Sequence, residues 1–322
     1  MKNDSQLQCP ICTSKNIKKK LTKLRDKSEQ NLFCCQDCCF QYFDKFDESL
    51  IKQDEYEISR LRSAGLEIPS ENKDFENGYE QSEIYIDKHI PKKTKNLNIL
   101  EIGCSTGYFL KRIIDLKLNH CCSGIELNPS RARYVRENLD IDCFSNLNEI
   151  KLKKKYDLIF MFYVLEYINN PFEYISNLID YLNIRGKLII YTPNTNDVLK
   201  DIWQIDEFKD FFYEKQSINY FCKKTFEKLQ LRLNRKDLKF KIETFQAYSL
   251  FNHLRWFFER KPKTTGIVGG DKIDDDIKEN LNKDTILGKE FINFFETFNK
   301  NYKKIIEQKD FGNRIFFEIT KI

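Results

Sequence analysis

The sequence predicts an α/β fold with a doubly wound parallel sheet, preceded by a small cysteine-rich module. Three observations predict it. Residues 97–194 alternate short apolar runs with helical stripes, a glycine-bearing turn follows the first of these runs, and two Cys-x-x-Cys pairs lie near the N-terminus. With 322 residues, of which 41% are hydrophobic and 14% aromatic, the chain is long enough for two domains and can build a core. Global disorder is therefore excluded.

Composition and charge exclude further classes of protein. The longest mostly apolar run, residues 156–168, is shorter than the about 20 residues that span a bilayer, and residues 1–8 contain no apolar signal region. We therefore expect a soluble, cytoplasmic protein without a membrane span. The net charge is only +5, and the basic runs at 18–20 and 151–155 are short. This pattern disfavours a nucleic-acid partner, because such binders usually concentrate their basic residues in one stripe.

The cysteines near the N-terminus predict a metal site. Cys9-Pro-Ile-Cys12 and Cys35-Gln-Asp-Cys38 are separated by 22 residues, and eleven cysteines without a secretion signal favour free thiols or metal ligands over disulfides. Four thiolates in two such turns suit a structural Zn²⁺, because four cysteine ligands leave no position open for a reacting water. The stretch between the pairs can form the strands of a zinc ribbon, whose folding energy the metal supplies.

Two alternatives remain for this module. Cys34 and Cys39 flank the second pair and could replace its members as ligands, although only the chosen pair has the Cys-x-x-Cys spacing. A redox-active pair is the competing function, and two pairs at ribbon spacing disfavour it. We predict a zinc-ribbon module over residues 1–45 and a helical connector over residues 46–95.

The central block has the pattern of a nucleotide-binding βαβ unit. An apolar strand at 98–102 runs into the turn Gly103-Cys-Ser-Thr-Gly107, and a helix with apolar residues at helical spacing follows. Glycines let the backbone approach a ligand closely. Glu126 ends the second strand about 20 residues beyond the turn, where a carboxylate hydrogen-bonds ribose hydroxyls in such units. Further strands are predicted at residues 141–144, 156–163 and 187–192.

Residues 97–194 resemble the class I S-adenosylmethionine (SAM)-dependent methyltransferases. Glu101-Ile-Gly-Cys-Ser-Thr-Gly107 looks like the first motif of that family, (D/E)xGxGxG, with Ser105 in place of the middle glycine. The resemblance implies a Rossmann-like sheet of seven strands, whose last two form an antiparallel hairpin, and SAM as the cofactor. The residues implied to hold the cofactor are Glu101, Gly103 and Gly107 around its methionine part, Cys104 in the same turn, Glu126 at its ribose and Asn146 near its adenine.

The remainder of the chain resembles methyltransferases that act on small molecules. Leu165-Glu-Tyr167 resembles their Leu-Glu-His segment, and residues 246–256 resemble a segment of zinc-ribbon-bearing methyltransferases associated with sugar or polysaccharide pathways. The resemblance implies a methyltransferase domain over residues 96–322, with an insertion at about 246–312 that covers the acceptor. We expect O-methylation of a sugar, a nucleotide-linked sugar or a related small hydroxylated acceptor.

Three side chains are predicted as bases for that reaction: His253, Tyr167 and Glu166. A base assists attack by a hydroxyl, and the rest of the rate enhancement comes from alignment with the sulfonium methyl. A packing role beside Trp256 is the alternative for His253. The sequence has Tyr167 and Ser217 where relatives often have histidines, so the assignment of the base stays open.

Two other functions remain as alternatives. An RNA methyltransferase would use the ribbon to hold RNA, but residues 162–167 lack the Asn/Asp-Pro-Pro-aromatic motif that serves transfer to base nitrogens. A degenerate methyltransferase fold kept as a scaffold would fail to bind the cofactor, and the intact glycine turn together with Glu126 disfavours it.

Overall fold

A computed structural model of the chain describes residues 7–43, 71–150, 154–261 and 281–322. They form a four-stranded antiparallel sheet and a seven-stranded mixed sheet. Of the connector predicted over residues 46–95, the part up to residue 70 lies outside the described residues. Within the remainder, residues 71–89 form a helix. None of the described helices combines the length and the apolar character that a bilayer span requires.

The elements are numbered here in chain order. The strands are β1 (Ile17–Lys23), β2 (Glu29–Cys35), β3 (Gln41–Tyr42), β4 (Asn98–Ile102), β5 (Cys121–Ile125), β6 (Asp142–Phe144), β7 (Tyr156–Phe162), β8 (Leu182–Pro193), β9 (Asn219–Tyr220), β10 (Leu238–Phe245) and β11 (Arg314–Lys321). The helices are α1 (Glu71–His89), α2 (Tyr108–Asp115), α3 (Pro129–Leu139), α4 (Pro171–Asp180), α5 (Val198–Asp201), α6 (Asp206–Phe212), α7 (Lys223–Leu233), α8 (Leu250–Glu259) and α9 (Ile286–Glu307), with 3-10 turns at Leu147–Glu149 and Leu165–Tyr167.

The large sheet has the strand order β10-β11-β8-β7-β4-β5-β6. Strands β4 to β8 are parallel, and β11 lies antiparallel between β8 and β10. The predicted seven-stranded doubly wound sheet with its terminal hairpin is therefore confirmed. From β4 the chain first extends the sheet to one side through β5 and β6, and then returns to the other side at β7. In sheets of this kind, ligands bind at the carboxyl ends of the strands beside that switch point.

Each face of the large sheet has its own hydrophobic core. Neighbouring side chains of β4 alternate between them, since Leu100 and Ile102 belong to one core and Ile99 to the other. Helices α4 and α7 cover the first face, and α1, α2 and α3 cover the second. Burial on both faces explains why β7 reads as an almost continuous apolar run in the sequence.

The small sheet joins the N-terminal cysteines to the rest of the chain. Strands β1 and β2 form a hairpin, β3 pairs with β2, and β9 adds a strand from far along the chain. Helix α7 packs beside it, where Thr225 Oγ1 donates to the carbonyl oxygen of Cys38 at 3.0 Å. The rings of Phe40 and Phe221 lie 5.2 Å apart, and Arg232 donates to two carbonyl oxygens of the first cysteine turn. The module therefore packs directly on the large domain.

The segment predicted to cover the acceptor, residues 246–312, contributes two helices between β10 and β11 among its described residues. These are α8 and α9, and residues 262–280 between them lie outside the described part of the chain. Asn299 on α9 accepts a hydrogen bond from the backbone N–H of Leu250 at 2.9 Å, which fixes the start of α8 against α9. The covering role of this segment stays a prediction.

Candidate functional site

A cavity of about 800 Å³ lies at the carboxyl ends of the parallel strands, beside the switch point of the sheet. Its size is typical of small-molecule sites. The turns after β4, β5, β6 and β7 line it, together with Arg314 at the start of β11. Helix α1 adds one face to the wall, through Gly78, Gln81, Ser82 and Tyr85.

The glycine turn lies between β4 and this cavity. Gly103 lines the cavity with a φ of +73°, and its N–H donates to the carbonyl oxygen of Ile125 at 2.7 Å. A Cβ added there would lie 2.4 Å from Val164 Cγ2, so both the backbone conformation and the space require glycine. Gly107 has a φ of +78°, but a Cβ there would meet Leu139 Cδ1 of α3 at 2.7 Å. Gly107 therefore serves the packing of α3, whereas Gly103 faces the cavity.

Glu126 is the predicted ribose ligand, and it lines the cavity directly after β5. Its Oε2 accepts from the backbone N–H of Ser105 at 2.9 Å, and its Oε1 accepts from that of Asn128 at 2.8 Å. These bonds hold the carboxylate still and tie it to the glycine turn. Because a carboxylate has about four acceptor sites, it can accept hydroxyl hydrogens in addition.

Two other predicted cofactor residues lie beneath the turn, outside the cavity wall. Glu101 is 3% exposed, and its Oε2 has no hydrogen-bond partner in the described part of the chain. Burial, with the nearby charge of Glu126, raises its pKa well above the ordinary range. Cys104 is buried against Gly124, with its Sγ 3.7 Å from that of Cys143.

Asn146 lines the cavity at the far edge, beyond β6. Its side chain caps the following 3-10 turn, since Oδ1 accepts from the N–H of Asn148 at 3.0 Å and Nδ2 donates to Glu149 at 3.0 Å. Its side chain is thus engaged in local structure at the same time as it borders the cavity.

The three predicted bases are in different surroundings. Tyr167 lines the cavity. His253 is 1% exposed and lies outside the wall, with Nδ1 2.6 Å from Tyr302 Oη and Nε2 3.2 Å from Gln246 Nε2. Burial lowers the pKa of His253 to about 3. Its contact with Tyr302 joins α8 to α9, and its role as a base stays a prediction.

Glu166 also lies outside the cavity wall. It is 3% exposed, and its Oε2 accepts from Thr192 Oγ1 at 3.2 Å. Burial raises its pKa to about 8, against the opposing effect of the Arg314 charge. At neutral pH the carboxyl is therefore mostly protonated. Its role as a base stays a prediction.

The raised pKa of Glu166 predicts a stability effect. Because the unfolded side chain has a pKa of about 4.3, the folded state retains a proton that the unfolded state releases between about pH 4 and 8. The free energy of unfolding should therefore fall as the pH rises through this range, by up to about 1.4 kcal/mol per unit. Urea unfolding at several pH values should show this slope in the wild type and a shallower one in Glu166→Gln. Equal slopes in the two proteins would contradict the assignment.

Several residues of the wall were not singled out from the sequence. Asn128 begins α3, and its Oδ1 accepts from the N–H groups of Ser130 and Arg131. The following Pro129 is a helix-start signal that could have identified this cap. For Arg314 the sequence offered no signal beyond its position at the start of the last predicted strand.

The four predicted cysteine ligands lie together at one end of the small sheet. Their Sγ atoms are all within 4.8 Å of one another. The Cys9–Cys38 and Cys12–Cys35 Sγ distances are both 3.5 Å. Zn–S bonds of about 2.3 Å in a tetrahedron place sulfurs about 3.8 Å apart, so the cluster fits Zn²⁺.

The flanking cysteines are separate from this cluster. Cys34 packs against a neighbouring hydrophobic cluster, and Cys39 is exposed. The β1–β2 hairpin ends at Cys35, the first member of the second pair, and the zinc ribbon stays a prediction.

Comparison with known proteins identifies similarity to methyltransferases. A family profile described as "Methyltransferase domain" matches residues 69–235, just over half of the chain. The chain is 28% identical over 138 residues to malonyl-[acyl-carrier protein] O-methyltransferase 1 of Ilyobacter polytropus, covering 38% of this chain and 51% of that protein. It is 28% identical over 101 residues to the malonyl-[acyl-carrier protein] O-methyltransferase of Acetivibrio thermocellus, covering 30% and 35%. The chain thus spans about half of the length of the first relative and about a third of the length of the second.

Among solved structures, a SAM-dependent methyltransferase from Archaeoglobus fulgidus superposes with a TM-score of 0.46 at 17% identity. The match covers 76% of this chain and 94% of that one.

Proposed function

Since the chain belongs to the methyltransferase domain family, we propose that it transfers a methyl group from SAM to an oxygen atom of a small hydroxylated acceptor, a sugar or a nucleotide-linked sugar. The observation that carries the proposal is the cavity at the switch point, which Gly103 and Glu126 line together. Both relatives are named as O-methyltransferases, which supports oxygen as the atom that receives the methyl group.

The residues of the cavity fit this cofactor. Gly103 offers bare backbone where the methionine part would pass, and Glu126 offers two fixed carboxylate oxygens for the ribose hydroxyls. Asn146 lies beyond Glu126, on the side where the adenine would extend. The buried Oε2 of Glu101, which has no partner in the described residues, is a further polar atom beneath the turn. When bound, the cofactor supplies an activated methyl group on a sulfonium.

The chain itself contributes alignment, exclusion of water and a hydrogen-bond partner for the acceptor hydroxyl. The wall from α1 closes one side, and aromatic residues after β7 line the acceptor side. Alignment of the attacking oxygen with the methyl group is worth several kcal/mol in reactions of this kind. Of the predicted bases, Tyr167 is the one in the wall, and we assign to its Oη the hydrogen bond that orients the acceptor hydroxyl.

We further propose that the four cysteines of the small sheet bind one structural Zn²⁺. The Sγ distances and the burial of three of the four thiols support it. A four-thiolate site has no open position, so the metal would hold the module together and take no part in methyl transfer.

The cofactor assignment predicts the effect of Glu126→Gln. The variant keeps the size of the side chain and loses its charge, so we expect S-adenosylhomocysteine (SAH) to bind at least about tenfold more weakly, in line with about 1.5–3 kcal/mol for hydrogen bonds to a charged group. The measurement is calorimetric titration with SAH. Glu137→Gln, on the exposed face of α3, is the matched control and should bind like the wild type. Equal affinities for both variants would contradict the role of Glu126.

The type of acceptor is tested by the lability of the product. The wild type is incubated with SAM carrying a labelled methyl group and, separately, with free sugars, nucleotide-linked sugars and malonate. A methyl ether on a sugar hydroxyl resists mild alkali, whereas a methyl ester on a carboxylate releases labelled methanol. Alkali-stable label on a sugar supports the proposal, and label released only as methanol contradicts it.

A further inference from the structure

Arg314 lies at the edge of the large sheet where the cavity opens. It is the first residue of β11, and it pairs with Pro193 at the end of β8 and with Phe245 at the end of β10. Because β11 is antiparallel to β8, its first residue lies at the same edge as the carboxyl ends of the parallel strands. Its side chain lines the cavity.

The position of Arg314 is on the side of the cavity away from the proposed cofactor residues. Asn146, Glu126 and Gly103 follow β6, β5 and β4, which are consecutive strands on one side of the sheet. Arg314 lies three strands beyond β4, which corresponds to roughly 14 Å at the usual spacing of about 4.8 Å. The arginine therefore lies on the side that the proposed function leaves for the acceptor.

The guanidinium of Arg314 is surrounded by tyrosines. It donates to Tyr163 Oη and lies 4.6 Å from the centre of that ring, with Tyr248 at 5.9 Å. Burial lowers the pKa of Arg314, whereas the hydrogen bond to Tyr163 and the nearby Tyr248 and Tyr85 raise it. A guanidinium with such neighbours stays charged at neutral pH. Burial raises the pKa of Tyr163 well above the ordinary range, so this neighbour stays a neutral phenol.

This charge has no ion-pair partner among the residues that the structure describes. No aspartate or glutamate oxygen of residues 7–43, 71–150, 154–261 and 281–322 lies within 4.0 Å of the guanidinium. The carboxyl of Glu166 acts on it from a greater distance and is itself mostly protonated at neutral pH. A largely buried charge is unfavourable unless an opposite charge pairs with it, so this wall of the cavity favours an anionic ligand.

We propose that Arg314 binds an anionic group of the acceptor, a carboxylate or a phosphate, and so positions the acceptor oxygen for methyl transfer. The inference rests on the proposed function, because it needs the cofactor to occupy the opposite side. The planar guanidinium binds two oxygens of either group at once, and the bond to Tyr163 fixes its plane. A nucleotide-linked sugar carries phosphates and a malonyl group carries a carboxylate, so the two sources share this chemistry.

The test uses the full chain saturated with SAH, titrated with malonate and, separately, with inorganic diphosphate. The wild type should bind at least one of them, and Arg314→Gln should bind that anion at least about tenfold more weakly while its SAH affinity stays within about threefold. Loss for malonate alone identifies a carboxylate acceptor, and loss for diphosphate alone identifies a phosphate-bearing one. Arg133→Gln, on the exposed face of α3, is the matched control and should match the wild type throughout.

Three results would overturn the inference. The first is equal anion binding by the wild type and Arg314→Gln, and the second is no anion binding by the SAH-saturated wild type. The third is a tenfold loss of SAH affinity in Arg314→Gln, because this loss would place the methionine carboxylate of the cofactor on this arginine. Failure of the wild type to bind SAH at all would instead reject the proposed function. If Arg314→Gln does not fold, Tyr163→Phe replaces it, because loss of the Oη contact should weaken anion binding and spare SAH.

Discussion

Gly103→Ala is expected to lower the affinity for SAH by at least about 100-fold in a protein that still folds. The residue has a φ of +73°, and an alanine Cβ would lie 2.4 Å from Val164 Cγ2, so the turn and the chain after β7 must both shift. The left-handed conformation itself costs roughly 1–2 kcal/mol for a residue with a Cβ. Both shifts occur in the cavity wall, where the cofactor is proposed to bind. Calorimetric titration with SAH measures the effect, and thermal unfolding shows how much of the structure remains.

Gly107→Ala is the comparison variant. It has a similar φ of +78°, but its Cβ would meet the end of the Leu139 side chain on α3, away from the cavity. We expect this variant to lose stability and to keep its SAH affinity within about tenfold. Comparing the two variants thus distinguishes a loss of stability caused by backbone strain from a loss of SAH affinity caused by changes in the cavity wall. Normal SAH binding by Gly103→Ala would reject the proposed cofactor position.

Cys38→Ser is expected to release one Zn²⁺ per chain and to unfold the small sheet. Structural zinc contributes roughly 10 kcal/mol or more in small zinc-binding units, far beyond what a four-stranded sheet of this size gains by burial. Plasma mass spectrometry on the purified protein measures the metal. Cys39→Ser is the matched control, because Cys39 is exposed and adjacent to the cluster, and it should keep its zinc. Full zinc content in Cys38→Ser, or equal loss in both variants, would contradict the four-cysteine site.

Loss of zinc should also weaken cofactor binding in the cavity. Strand β9 pairs with β3, and Asn219 in β9 donates to the carbonyl oxygens of Leu165 and Ile168 at 3.2 and 2.6 Å. The N–H of Ile218 donates to the carbonyl oxygen of Glu166 at 2.9 Å. These bonds hold the turn that carries Tyr167 into the wall. We expect zinc-free protein to bind SAH about three- to tenfold more weakly, which titration in the presence and absence of a chelator measures.

The sheet and the cysteine cluster could be predicted because their signals are local. Apolar runs, the turn from Gly103 to Gly107 and the two Cys-x-x-Cys pairs are short patterns whose meaning does not depend on distant residues. Glu126 could be placed in the wall for the same reason, since it ends a strand at a fixed distance from the turn.

The sequence could not decide between the three predicted bases, because their surroundings come from distant parts of the chain. Tyr302, which contacts His253, lies on α9, 49 positions further along the chain. Glu166 and Tyr167 are neighbours in one 3-10 turn, yet one side chain points to the buried Thr192 and the other to the cavity. Periodicity cannot separate two adjacent residues in so short an element. The surroundings of Arg314 could not be predicted either, because the tyrosines next to its guanidinium come from other parts of the chain.

The pairing of β3 with β9 has a consequence for synthesis on the ribosome. Thr225 contacts the carbonyl of Cys38 across 187 positions of the chain. The ribosome adds about 5–20 residues per second, so roughly 10–40 s pass between the synthesis of β3 and the synthesis of its partner strand β9. During that time β3 is an open edge, which invites pairing with other chains. The strand is only two residues long, Gln41–Tyr42, and an edge so short gives a foreign strand little to join. The shortness of β3 should therefore protect the nascent module from pairing with other chains until β9 emerges.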